Sequence, residues 1–213
     1  MNKKQQAKHI MEQLEMMYPD AECSLNYKDP LQLMVATQLA AQCTDARVNI
    51  VTKELFKKYK TVDDYANADL QEFEQDIKST GFYRNKARNI IAAARMIIEV
   101  FGRNVPSDIE NLLKLPGVGR KTANLLLNDW FGVPGIVIDT HAKRLTNRMG
   151  LTENDDPEKI EYDLMKIIPK EKWGRFCHQL VFHGRAICTA RKPSCEKCGI
   201  LPFCKFGSSH IEK

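Results

Sequence analysis

Apolar residues recur along this chain at helical spacing almost throughout, and no convincing strand ladder interrupts them. A polar helix is predicted around residues 3–17, ending before Pro19. Asp29 reads as an N-cap with Pro30 at the favoured first helical position, and residues 31–42, apolar nearly all round, predict a buried central helix. Thr44 caps the next helix, whose Val48, Val51, Leu55, Phe56 and Tyr59 share one face. A short helix over 69–79 closes at Gly81, and 84–101 repeats Ala87, Ile90, Ile91, Ala94, Ile97 and Ile98 before stopping at Gly102. Ser107 is the expected cap of the helix that follows. Beyond it, residues 119–131, 140–149, 157–168 and 170–187 carry helical patterns. The stretch 132–139 is extended and β-branched, and reads as a crossing between two lobes. The expected fold class is all-α.

Residues 115–123, Leu-Pro-Gly-Val-Gly-Arg-Lys-Thr-Ala, sit between two of these helices. Pro116 ends one helix, while Gly117 and Gly119 permit a tight hairpin with unpaired backbone N–H groups. Such a turn opening a helix is a ready anion site. Arg120 and Lys121 then occupy a first turn where cations are disfavoured by roughly 0.3–1 kcal/mol each, a penalty that a bound phosphate reverses. The same field works against the ammonium form of Lys121, as a nucleophilic role requires.

With 213 residues, 43% hydrophobic and 28% charged, the chain has ordinary globular composition and room for one domain or two small ones. A net charge of +5 permits a nucleic-acid partner without demanding one. The cations gather at 84–88, 120–121, 143–148 and 191–192. No run approaches a membrane span, and the expectation is a cytoplasmic monomer.

Four of the seven cysteines, Cys188, Cys195, Cys198 and Cys204, crowd into one short segment and point to a structural metal. Their spacing of six, two and five intervening residues leaves zinc and an iron-sulfur cluster both open. Cys23, Cys43 and Cys177 read as small core residues. Asp139 before Thr140 reads first as an N-cap, a role compatible with a carboxylate that stabilises positive charge or takes a proton. His141, His178 and His183 have no metal-like spacing outside the tail and read as core or surface residues, with His141 a site candidate through its neighbour.

Four motifs together, Leu-Pro-Gly-Val-Gly-Arg-Lys-Thr-Ala-Asn at 115–124, Val-Ile-Asp-Thr-His at 137–141, Gln-Cys-Thr-Asp at 42–45 and the cysteine spacing, give the chain its likeness to a known family. It resembles the endonuclease III family of helix-hairpin-helix DNA glycosylases. The resemblance implies a two-lobed all-α fold, with a central domain at 23–134 and a cluster domain formed by 1–22 and 135–213. It implies removal of oxidised pyrimidines from double-stranded DNA, cleavage 3′ to the abasic site, and a 4Fe-4S cluster on Cys188, Cys195, Cys198 and Cys204. Lys121 would be the nucleophile and Asp139 its partner. Gly117, Val118, Gly119, Arg120, Gln42, Phe82, Arg144, Arg191 and Lys192 would contact DNA, with Gln42 filling the vacated space and Phe82 as the wedge. Asp45 and His141 would line the lesion pocket. Phe82 departs from the usual Leu; Ala40 stands where a small hydroxyl residue is common, and Asn128-Asp129-Trp130 is bulkier and more acidic than the family's usual small stretch, departures that bear on lesion preference and local packing rather than on reaction class.

The related adenine glycosylases lack the hairpin lysine and use a Glu on the early helix, whereas here Lys121 is present and residues 31–42 hold no Glu. A non-catalytic DNA-binding module is the rival of another class, in which Lys121 is one more phosphate contact.

Overall fold

The computed structural model describes residues 1–211 as helices joined by turns and irregular chain, with no strand among them. The chain divides into two compact units, one of Cys23–Val133 and one of Met1–Glu22 with Pro134–Lys213. Helix α1 (Lys3–Met17) opens the discontinuous unit. The contiguous unit then runs through α2 (Pro30–Leu39), α3 (Asp45–Lys58), α4 (Val62–Ala66), α5 (Leu70–Asp76), α6 (Tyr83–Phe101), α7 (Ile109–Leu112) and α8 (Arg120–Asp129).

Local chemistry starts these helices. Asp29 Oδ1 accepts from Gln32 N at 2.8 Å, and Thr44 Oγ1 accepts from Arg47 N at 3.3 Å. Each such cap contributes about 1 kcal/mol. Helix α2 is buried on all sides, with Leu33, Met34, Val35, Ala36 and Leu39 fully enclosed, and packs against α3, α6 and α8. Each large apolar side chain buried in this way stabilises the fold by about 1.5–3 kcal/mol. Tyr59, Tyr65 and Phe73 form a ring cluster with centroids 5.1–6.0 Å apart, closing the far side of α6 through α4 and α5.

Three expectations need correction here. Helix α2 stops at Leu39 rather than continuing to Gln42, because Gln42 adopts φ +54°, a left-handed conformation that no helix can pass through. The cap of α7 is Asp108 and not Ser107. Its carboxylate engages both Asn111 N and Asn111 Nδ2 at 2.9 Å. Cys23 and Cys43 are only half-buried, whereas Cys177 is a core residue and accepts from Val137 N at 3.2 Å.

The discontinuous unit adds α9 (Thr140–Met149), α10 (Pro157–Met165), α11 (Trp173–Ala186) and α12 (Lys205–Ile211) to α1. Ile10 and Leu14 of α1 are fully buried, as is Leu180 of α11, the helix on which α1 packs. Arg175 meets Glu15 with three bonds of 2.7, 2.8 and 3.2 Å, and Gln179 Nε2 adds a fourth at 2.7 Å. The Arg175 guanidinium holds the Glu15 carboxyl down to about 2. Gln6 Nε2 donates to Met149 O at 2.7 Å and Phe203 O at 2.8 Å, so one amide ties the first helix to both the end of α9 and the cysteine segment.

Candidate catalytic and nucleic-acid-binding site

The hairpin between α7 and α8 is a four-residue turn closed by Val118 N donating to Leu115 O at 3.0 Å. Pro116 and Gly117 occupy its centre, and Gly117 has φ +76°, the sign that the third position of a type II turn requires. A Cβ on Gly117 would collide with Gln38 Oε1 and lie 2.8 Å from Asn89 Cβ, so both conformation and space select glycine. Gly119 differs from the sequence expectation. Its backbone is extended, at φ −91° and ψ 177°, and a Cβ there would meet nothing within 4 Å. Gly117→Ala is therefore expected to lower stability by about 1–3 kcal/mol in a urea titration, with Gly119→Ala costing less.

Helix α8 begins without a side-chain cap and without an acidic residue in its first turn. The N–H groups of Arg120, Lys121 and Thr122 precede the first backbone bond of the helix, Ala123 N to Gly119 O at 2.9 Å. Lys121 stands in this turn, exposed and with no hydrogen-bond or ion-pair partner among the described residues. The result is an anion-favouring helix start beside an available amine.

Gln42 and Phe82 line one pocket in the same unit, together with Gln38, Asn89, Lys86 and Gly117. Phe82 is 63% exposed and, like Gln42, is a non-glycine residue with positive φ, at +49°. Asp45 is the first residue of α3 and half-buried.

In the discontinuous unit, Asp139 caps α9, with Oδ1 accepting from Ala142 N at 2.7 Å. Its other oxygen takes no part in the cap. His141 lies one turn before Arg144, whose Nη2 contacts His141 Nδ1 at 3.1 Å. The same Nη2 donates to Cys188 O at 3.0 Å and Gly184 O at 3.2 Å. Arg144 is thus turned inward as a brace between α9 and the end of α11, rather than presented to a phosphate. Arg191 and Lys192 are exposed on the segment that follows Cys188.

The four clustered cysteines line a single apolar cavity with His183, Arg148 and Phe206. Arg148 went unremarked as a site residue in the sequence. Its Nη1 donates to Cys188 Sγ at 3.3 Å and Thr189 O at 2.8 Å, its Nη2 donates to Ala190 O at 2.8 Å, and its guanidinium lies 4.7 Å from the centre of the Phe206 ring. Gly207 N donates to Cys204 Sγ at 3.4 Å, and His183 Nε2 lies 3.5 Å from Cys198 Sγ. Burial pushes the His183 imidazole down to about 4, so the ring is neutral. No three Cys, His, Asp or Glu side chains among the described residues converge where one ion would sit. The thiols surround a volume instead.

The chain matches the HhH-GPD superfamily of base excision DNA repair proteins over residues 35–170. It is 52% identical to Endonuclease III of Synechocystis sp. over 95% of this chain and 93% of that protein. A solved non-covalent Endonuclease III–DNA complex superposes with a TM-score of 0.95 at 47% identity, covering the whole of both chains. A trapped Endonuclease III–DNA covalent intermediate gives the same TM-score and identity over 99% of this chain and 100% of that one.

Proposed function

The chain belongs to the endonuclease III branch of the HhH-GPD base excision DNA repair superfamily, and from that membership we infer how its residues share the work. It is a bifunctional DNA glycosylase and abasic-site lyase that acts on double-stranded DNA. Lys121 is the nucleophile in this reading. The observation that carries it is an exposed, unpartnered amine on the uncapped first turn of α8.

The substrate class proposed is DNA with oxidised pyrimidines. Backbone N–H groups at the start of α8 hold a phosphate, and Gln42 and Phe82 occupy the duplex where a nucleotide has left it. Neutral Lys121 Nζ attacks C1′, the C1′–base bond breaks, and the base departs with its electron pair and a proton; the C1′–O4′ bond then opens, O4′ taking its electron pair and a proton as a hydroxyl, and the C1′–N bond becomes the imine. Asp139, fixed by its cap, offers a carboxylate to the positive charge that develops at the sugar and to the proton moved in forming the imine. Loss of a C2′ proton from the imine then expels the 3′ phosphate. Borohydride tests the reading, because reduction of the imine leaves protein and DNA covalently joined; absence of any adduct on abasic duplex sinks it.

The four thiols line one apolar cavity, and membership of the family leads us to assign it a 4Fe-4S cluster. Cys188, Cys195, Cys198 and Cys204 would hold it, and it would brace the loop bearing Arg191 and Lys192 against phosphate. The N–H donors of Arg148 and Gly207 stabilise thiolate sulfur in such a site. Anaerobically purified protein is expected to be brown and to contain about four irons per chain, whereas one zinc per chain in a colourless preparation refutes the assignment. Among the described residues no helix is long and apolar enough to cross a membrane, and a cytoplasmic location is proposed with the DNA substrate.

A further inference from the structure

Gln38 is the anomaly of helix α2. It is only 5% exposed on an otherwise apolar helix, and neither Oε1 nor Nε2 has a hydrogen-bond partner among the described residues. Leaving a buried amide unpaired costs about 1–3 kcal/mol per group, which an apolar side chain of similar size would avoid. No protein group satisfies this amide, which leaves it to whatever enters the pocket beside it. Gln38 lines the pocket behind Gln42 and Phe82, a space of about 220 Å³. That volume is smaller than the roughly 300–1,000 Å³ of sites for drug-sized ligands and suits one planar ring.

The walls specify which ring. Gln42, Asn85 and Asn89 add three further amides, Gly117 of the hairpin forms part of the wall, and no carboxylate lines the space. An amide offers one donor and one acceptor side by side, the pattern that pairs with two adjacent positions on a base edge. Phe82 provides an exposed aromatic face at the pocket, and base stacking on such rings is sequence-tolerant.

The two rims of the pocket are tethered to one buried lysine. Lys86 is 6% exposed, and its ammonium donates to Leu39 O at 2.7 Å and Thr80 O at 2.9 Å. Leu39 and Thr80 are the last residues of the helical segments leading to Gln42 and Phe82. One side chain therefore ties together both turns whose tips are left-handed. Strain of this kind persists only where the surroundings over-determine it, and here it keeps the pocket open between two fixed tips.

We propose that this pocket receives the edge of a nucleobase from DNA held on the hairpin, and that the Gln38 amide reads that edge. The inference rests on the DNA glycosylase reading above. Two bases meet the chemistry: the damaged base, and the partner that is left unpaired when the damaged nucleotide is extruded.

The test uses full-length protein with Gln38→Leu and Gln38→Met, which replace an unpaired amide by apolar groups and so should melt at or above the wild-type temperature. Single-turnover base release is measured on thymine glycol placed opposite each of the four normal bases, and then on a set of oxidised pyrimidines opposite one fixed base. If the ratio between best and worst opposite base changes by about 5- to 100-fold in both variants, the pocket reads the unpaired partner. If the ratios move across the lesion set instead, it reads the damaged base. Unchanged ratios in both sets overturn the proposal, as does a large fall in melting temperature in both variants, because the amide then has a structural partner. Borohydride trapping of wild type on abasic duplex is run alongside. Failure there removes the glycosylase reading itself, whereas trapping with unchanged ratios removes only the role of Gln38.

Discussion

Lys121→Gln is expected to abolish borohydride trapping on abasic duplex and to slow strand cleavage by about 10⁴-fold or more, while duplex affinity falls by less than about tenfold. An amide nitrogen cannot form an imine, so the covalent route closes. The hairpin grip is nevertheless built from backbone. The first N–H groups of α8 need no side chain at position 121, and the hairpin before them is set by Gly117 and the Val118 N to Leu115 O bond. Lys121 also has no partner among the described residues whose loss would disturb the fold. A gel-shift titration beside the trapping assay separates the two contributions. Parallel loss of affinity and cleavage would instead make Lys121 a phosphate contact only.

Asp139→Asn should lower the single-turnover rate by about 10²–10⁴-fold with no change in melting temperature. Asn caps helices as well as Asp does, so its side-chain oxygen can keep the 2.7 Å bond to Ala142 N while the carboxylate charge is gone. Asp139→Ala removes both and should additionally cost about 1 kcal/mol of stability. The pair of variants divides the residue's two roles. Equal rates for Asp139→Asn and wild type would assign Asp139 to the cap alone.

The caps at Asp29, Thr44 and Asp139 were legible in the sequence because each acts on a backbone group three residues away. Hairpin and cysteine cavity were legible for a similar reason, since their residues are close in the chain. Helix α4 was missed because five residues are too few to show a period. What the sequence concealed are interactions across long separations. Arg144 and Arg148 look like one basic surface patch, yet their guanidinium groups reach carbonyls about 40 residues on, from Gly184 to Ala190. Lys86 sits in a run of cations at 84–88 and gives no local hint that it will be buried against Leu39 O. Gln38 was absorbed into the apolar pattern of α2, and only burial and the absence of a partner single it out.

The split of one unit between the two chain ends also orders the birth of the molecule. Everything in Cys23–Val133 emerges as one uninterrupted piece, so its core can assemble while the rest is still being translated. Helix α1 has no such immediacy, because Glu15 waits for Arg175, 160 residues later. At about 5–20 residues per second that delay is roughly 8–30 s, during which the apolar face of Ile10 and Leu14 is without α11 to cover it. Cys188, Cys195, Cys198 and Cys204 emerge later still, so the proposed cluster would be loaded last, into a nascent repair protein whose hairpin has already had time to form.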